Sequence, residues 1–184
     1  MHVDDQILDG CIAGKRNAQY LLFQKYASRM MGLCMRYAND KDDAKDLLQE
    51  GFIKVFENIG SFRREGSLEG WIRRIMINNA INITRKKRGI PFHEDIEKIP
   101  EIEIPENNDH DEFPQISQEE LFLMIQSLPD GYRMVFNLYV IEEYSHKEIA
   151  EILGISENTS KTQLLKARRF LRNSIGLKNK KQNI

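Results

Sequence analysis

Asn158, Lys161, Thr162 and Lys166 recur at helical spacing in ENTSKTQLLKARRFLR, a stretch without an acid after Glu157. Such side chains on one helix can hydrogen-bond base edges in a DNA major groove, while Arg168, Arg169 and Arg172 further along suit phosphates. A second group lies between Ser61 and Arg88. It holds Phe62 and Trp71, the amides Asn78 and Asn82, and six more basic than acidic residues. Aromatics stack on unpaired bases, amides read their edges and cations follow the backbone, so this group fits single-stranded or opened nucleic acid. A basic helix end with a core tryptophan is the plainer alternative, and Trp71 itself is expected in the core. Asp46 and Glu50 place two carboxylates four apart, as metal ligation or acid–base work could use. No histidine accompanies them, so a solvated or partner-facing surface is expected. The sequence has no Ser-His-Asp grouping, metal-ligand cluster or glycine-rich phosphate loop. No cofactor and no metal are therefore expected, and an enzyme acting on nucleic acid is disfavoured.

The elements that hold these groups follow from caps and periodicity. Ser145 and Glu148 form a capping box that starts a helix of about two turns, its apolar side being Ile149, Ala150, Ile152 and Leu153. Gly154 stops it, since the residue past a helix end often needs positive φ. Ile155 plugs the turn. Ser156 caps a second helix whose inner side is Ser160, Leu164, Ala167 and Leu171. Two short helices, a tight turn and a basic second helix make a helix-turn-helix; a helical hairpin with a solvated basic face is the alternative. Upstream, Ser117 and Glu120 form another capping box before LFLMIQSL. Ser127-Leu128-Pro129 then opens a helix with proline in its first turn, carrying Tyr132, Val135, Phe136, Leu138 and Tyr139 inward.

The N-terminal part also reads as helical. Leu21, Leu22, Phe23, Tyr26, Met30, Met31, Leu33, Cys34 and Tyr37 recur at three and four after a break at Gly14, as core residues do. Asn39 and Asp40 cap DAKDLLQEGFIKVFENI, whose buried stripe is Ala44, Leu47, Leu48, Gly51, Phe52, Val55, Phe56 and Ile59. Asp46, Gln49, Glu50 and Lys54 are left outward. SFRREGSLEG is a loop with one exposed aromatic, Phe62. In the helix WIRRIMINNAINITRKKR, the residues Trp71, Ile72, Ile75, Met76, Ala80 and Ile83 can face inward, leaving Arg73, Arg74, Asn78, Asn82, Arg85, Lys86, Lys87 and Arg88 available. From Gly89 to Ser117 four prolines and a run of acids mark a mobile linker able to cover a basic surface electrostatically.

The expected fold class is all-α: two small helical domains, residues 1–90 and 117–176, joined by an acidic linker at 91–116 and followed by a basic tail at 177–184. Lys plus Arg total 27 against 28 for Asp plus Glu, so charge informs through its distribution rather than its sum. Cys11 and Cys34 lack metal-ligand spacing and are expected as buried reduced thiols of an intracellular protein. The first residues lack a secretory signal, and no apolar run is long enough to span a membrane, so a cytoplasmic protein is expected.

Taken in order, DAKDLLQEGFIKVF, the SF at 61–62, WIRRIMINNAINITRKKR and SLPDGYRMVFNLYVIEEYSHKEIAEILGISENTSKTQLLKARRFLR make the chain resemble the extracytoplasmic-function (ECF) sigma factors of bacterial RNA polymerase. The resemblance covers nearly everything outside the linker. It implies that the first domain corresponds to family region 2, with Asp46, Gln49 and Glu50 docking on the clamp helices of the largest polymerase subunit. Ser61, Phe62 and Arg63, with Arg74, Asn78 and Asn82, would capture a flipped base of the −10 element and promote strand opening. The second domain would correspond to region 4, which meets the polymerase flap region and reads the −35 element as duplex. Lys161, Thr162, Leu165 and Lys166 match the base contacts, with Asn158, Thr159 and Arg168 nearer the backbone. The linker would thread toward the polymerase active-centre and RNA-exit channels. Nothing resembles the family's longer N-terminal autoinhibitory region or middle domain, which points to a separate anti-sigma factor. Ser160 departs from the family, which often has a β-branched apolar residue there; looser packing or a backbone acceptor for its hydroxyl is expected. The rival reading is a stand-alone helix-turn-helix regulator working without polymerase.

Overall fold

The computed structural model describes residues 3–88 and 116–182, and every regular element among them is helical. The chain divides into two units, Met1–Lys86 and Lys87–Ile184. The stretch expected as a linker lies almost wholly outside the described residues.

In the first unit α1 spans Val3–Ile12, α2 Arg16–Tyr37, α3 Lys41–Asn58 and α4 Leu68–Arg88, with a 3-10 turn at Ile59–Ser61 after α3. The caps act as local chemistry requires: Asp40 accepts from the Asp42 and Asp43 amides at 2.9 and 2.8 Å. Leu22, Tyr26, Met30 and Leu33 of α2 bury with Leu47, Phe52 and Val55 of α3 and Ile72, Met76 and Ala80 of α4. Leu21 and Phe23 remain partly exposed, although the sequence pattern placed them in the core. Buried positions cover more than half of the circumference of α4 and include Ile77, Asn79 and Ile81, whereas Trp71, Ile75 and Ile83 are only half-buried. A helix packed on several sides hides residues that a single-face pattern leaves out. Asn79 is 1% exposed. It accepts from Lys54 Nζ and donates to the Leu47 carbonyl at 3.3 Å, which draws Lys54 inward and ties α3 to α4.

At Gly51 α3 leaves no room for a side chain, since a methyl there would run into Met76 Sδ. Removing a mid-helix glycine ordinarily stabilises by about 1 kcal/mol, but overpacking costs about 1–3 kcal/mol. Gly51→Ala is therefore expected to lower the unfolding free energy in urea by about 1 kcal/mol, whereas an open site would give a gain.

In the second unit α5 spans Gln118–Gln126, α6 Asp130–Phe136 running into a π-helical turn at Asn137–Ile141, α7 His146–Leu153 and α8 Glu157–Gln182. Helix α8 thus continues into the segment expected as a tail. Met124, Leu128, Tyr132, Ala167 and Leu171 form a buried cluster, while Leu121 and Leu123 lie exposed on α5. Pro129 sits at the N-cap of α6 rather than inside its first turn. Arg133 is buried at 2% exposure because its guanidinium has fixed acceptors. It donates to the Gln126 carbonyl at 2.8 Å and to Asp130 Oδ1 at 2.6 Å, closing the end of α5. Cys11 and Cys34 are buried and free; burial pushes the Cys34 thiol up to about 12, so it stays protonated.

Candidate nucleic-acid and partner surfaces

Trp71, Arg74, Asn78, Asn82 and Arg85 follow one another on α4 at steps of three, four, four and three, which places them on one face. Arg74, Asn78, Asn82 and Arg85 are exposed. Trp71 lies on this face and not in the core; it is half-buried because the Phe62 ring packs on it, with centroids 5.6 Å apart at 48°. Phe62 is correspondingly half-covered rather than open. From Trp71 to Asn82 the strip extends roughly 16 Å along the helix. The expected residues therefore form a strip that starts at an aromatic pair, not one pocket.

The loop before α4 is held from several sides. Ser61 Oγ donates to the Asn58 carbonyl at 2.8 Å. Positive φ at Arg64 and Gly66 turns the chain, and the Arg64 guanidinium pairs with Asp9 and, at 3.6 Å, with Asp5 of α1. Ser67 Oγ accepts the Gly70 amide at 3.0 Å and starts α4, and Arg29 of α2 bridges to Glu69 at 2.5 Å. Ser61 and Arg63 are exposed on this braced loop.

On α3, Asp46, Gln49 and Glu50 are exposed on one face. The same face carries Ile53, 52% exposed, and Glu57. An apolar centre ringed by acids suits a partner with basic and apolar groups. Ile53 lies outside the buried stripe of α3, and its step of seven from Asp46 is the sequence signal that places it on this acidic face.

In the helix-turn-helix both caps form as the sequence implies. Ser145 and Glu148 make a reciprocal capping box, Gly154 adopts φ 69° and ψ 39°, and Ser156 Oγ accepts the Thr159 amide at 3.0 Å. Asn158, Lys161, Thr162, Leu165, Arg168, Arg169 and Arg172 are exposed along one side of α8. Leu165, half-exposed amid these polar groups, is suited to the thymine methyl. Thr159 and Lys166 are half-buried, and the Thr159 hydroxyl lies 2.9 Å from Ser156 Oγ.

Ser160 is fully buried. Its hydroxyl meets a side chain instead of a backbone acceptor: His146 Nδ1 at 2.9 Å. The His146 ring in turn stacks on Tyr139, with centroids 4.4 Å apart at 22°. Desolvation, then the Lys161 charge, with Arg168 adding to it and Glu157 opposing, holds this imidazole below its ordinary value of 6.5. Between the two values the unfolded chain binds more protons than the folded one. The stabilisation is thus complete above the unfolded value and lost as pH falls through the folded one. The thermal midpoint of the second unit is expected to drop as pH falls below about 6.5, with the part due to His146 missing in His146→Phe; identical pH slopes for both proteins would refute it.

Among the described residues no group of three or more His, Cys, Asp or Glu is arranged to hold a metal, and no helix is long and apolar enough to cross a membrane.

Comparison with known proteins adds a second line. Residues 22–90 match the family described as Sigma-70 region 2, and residues 118–171 match Sigma-70, region 4. The chain is 28% identical over 186 residues to the ECF RNA polymerase sigma-E factor of Haemophilus influenzae, covering 94% of this chain and 95% of that protein. It is 29% identical over 177 residues to the RNA polymerase sigma-H factor of Pseudomonas aeruginosa, covering 90% of each. The fold is similar to that of the sigma factor RpoE from Bartonella quintana, solved in complex with the anti-sigma factor NepR. That match has a TM-score of 0.52 and 18% identity and covers 84% of this chain and 94% of that one.

Proposed function

This chain belongs to the ECF subfamily of RNA polymerase sigma factors, and from that premise we propose how its surfaces divide the work of starting transcription. It binds core RNA polymerase and directs it to promoters by recognising two DNA elements and promoting strand opening. The α3 face of Asp46, Gln49, Glu50 and Ile53 docks on the polymerase. The α4 strip takes the −10 element: the Phe62–Trp71 pair offers a stacking platform, Asn78 and Asn82 hydrogen-bond an unstacked base, and Ser61, Arg63 and Arg74 hold the backbone. The exposed side of α8 enters the −35 major groove, where Lys161, Thr162 and Leu165 meet base edges, with Lys166 beside them. Asn158, Thr159 and Arg168 lie nearer the phosphates. The protein is a cytoplasmic initiation factor without chemistry of its own, restrained by an anti-sigma factor.

The observation that supports this reading is that an exposed strip of arginine and amide side chains beside an aromatic pair on α4, and an exposed polar and basic face on α8, belong to separate units. The test is DNA binding by the chain alone and with core polymerase. Sequence-specific binding that appears only with polymerase is expected; equal specific binding by the chain alone would favour a stand-alone regulator.

A further inference from the structure

We propose that His146 is a positioning residue for −35 reading, acting through the buried hydroxyl of Ser160; this rests on the assignment of α8 as the helix that reads the upstream duplex. Ser160 lies in the first turns of α8, between the candidate contacts Thr159 and Lys161, yet its own side chain points away from the exposed face and is fully buried. There it is joined to His146 Nδ1 at 2.9 Å, at the first residue of α7. The imidazole is fixed from its other side by the stack on Tyr139 in the π-helical turn. Three elements thus converge on one hydrogen bond under the reading helix.

An apolar pair at this place would hold α8 by contact alone, and contact tolerates rotation of a helix about its axis. A hydrogen bond has direction and does not. A rotation of about 10° moves a group at the ~6 Å outer radius of a helix by about 1 Å, enough to spoil a bidentate base contact. The neutral ring offers one donor and one acceptor, so it pairs with the hydroxyl whichever partner carries the proton. Desolvation, with the Lys161 and Arg168 charges adding to it against Glu157, favours the neutral ring. His146 therefore serves specificity by fixing the angle at which Lys161, Thr162 and Leu165 are presented.

The test uses holoenzyme containing the full chain. Initiation is measured at promoters with a matched −35 element and with single-base substitutions in it, each normalised to a template with a pre-melted −10 region and no −35 element. His146→Phe keeps a ring on Tyr139 but removes Nδ1, His146→Asn keeps a polar atom near the Nδ1 position but removes the ring, and Ser160→Ala removes the hydroxyl. The matched-to-substituted ratio is expected to fall about three- to tenfold in His146→Phe and in Ser160→Ala. The double variant should fall no further, and His146→Asn should keep most of the ratio. A merely structural role would lower thermal midpoints and leave the ratio alone. If both single variants keep the wild-type ratio, if their losses multiply in the double, or if His146→Asn falls as far as His146→Phe, the proposal is overturned. A wild-type holoenzyme indifferent to the −35 sequence would instead remove the assignment of α8, and the proposal with it. Should His146→Phe fail to fold, Ser160→Ala and His146→Asn decide the matter.

Discussion

Holoenzyme carrying Asn78→Ala with Asn82→Ala is expected to initiate from a duplex promoter roughly 30- to 1,000-fold less well than wild type, a loss of about 2–4 kcal/mol. Both amides are exposed on α4, on the face that begins with the Phe62–Trp71 pair, so removing them should leave the unit folded. Unstacking a base costs a few kcal/mol, which hydrogen bonds to the extruded base must offset for opening to proceed. On a template already melted across the −10 region that cost is absent, and the deficit should shrink. Initiation assays on the two templates, with circular dichroism as the folding control, check this. Equal losses on both would mean that these amides serve something other than base capture. The neighbouring Asn79 gives the contrasting outcome: buried between Lys54 and Leu47, it should lose stability on truncation whatever the template.

Asp46→Lys with Glu50→Lys should weaken binding to core polymerase by about 2–4 kcal/mol near physiological salt, since like charges brought together across an interface cost several kcal/mol. These side chains are exposed beside Ile53, which is also exposed, so the reversed charges would surround the apolar centre of the proposed docking face. The effect should diminish as salt rises, because exposed charges are screened over about 10 Å at 0.1 M. The helix itself should persist: its cap at Asp40 and its buried stripe are untouched. Affinity titrations at two salt concentrations would read both features. Unchanged affinity would place the docking surface elsewhere on the first unit.

The sequence disclosed those parts of the molecule that are governed by neighbours in the chain. The capping boxes at Ser117 and Ser145, the aspartate cap at Asp40 and the left-handed Gly154 are set within four residues, and the structure has each where local chemistry puts it. The exposed faces of α3 and α8 likewise follow from the helical period. What escaped was every pairing made in three dimensions. Lys54 with Asn79 and His146 with Ser160 join positions 25 and 14 apart, and the spacing of polar residues within one helix does not announce a buried partner on another. Trp71 escaped for a related reason, since its cover is Phe62, supplied by a loop whose path depends on the turns at Arg64 and Gly66. The contrast between exposed Leu165 and half-buried Lys166 shows that composition alone misplaces contacts at the edge of a helical face.

In the proposed function the two units engage one promoter at two places while polymerase holds them. Start-site mapping on a library of genomic fragments, transcribed by purified core polymerase with and without this protein, reads that double engagement. A new set of start sites is expected, each preceded by two shared sequence elements at nearly constant spacing, with the upstream element losing its influence in a Lys161→Ala, Leu165→Ala variant. Start sites that are the same with and without the protein would contradict it.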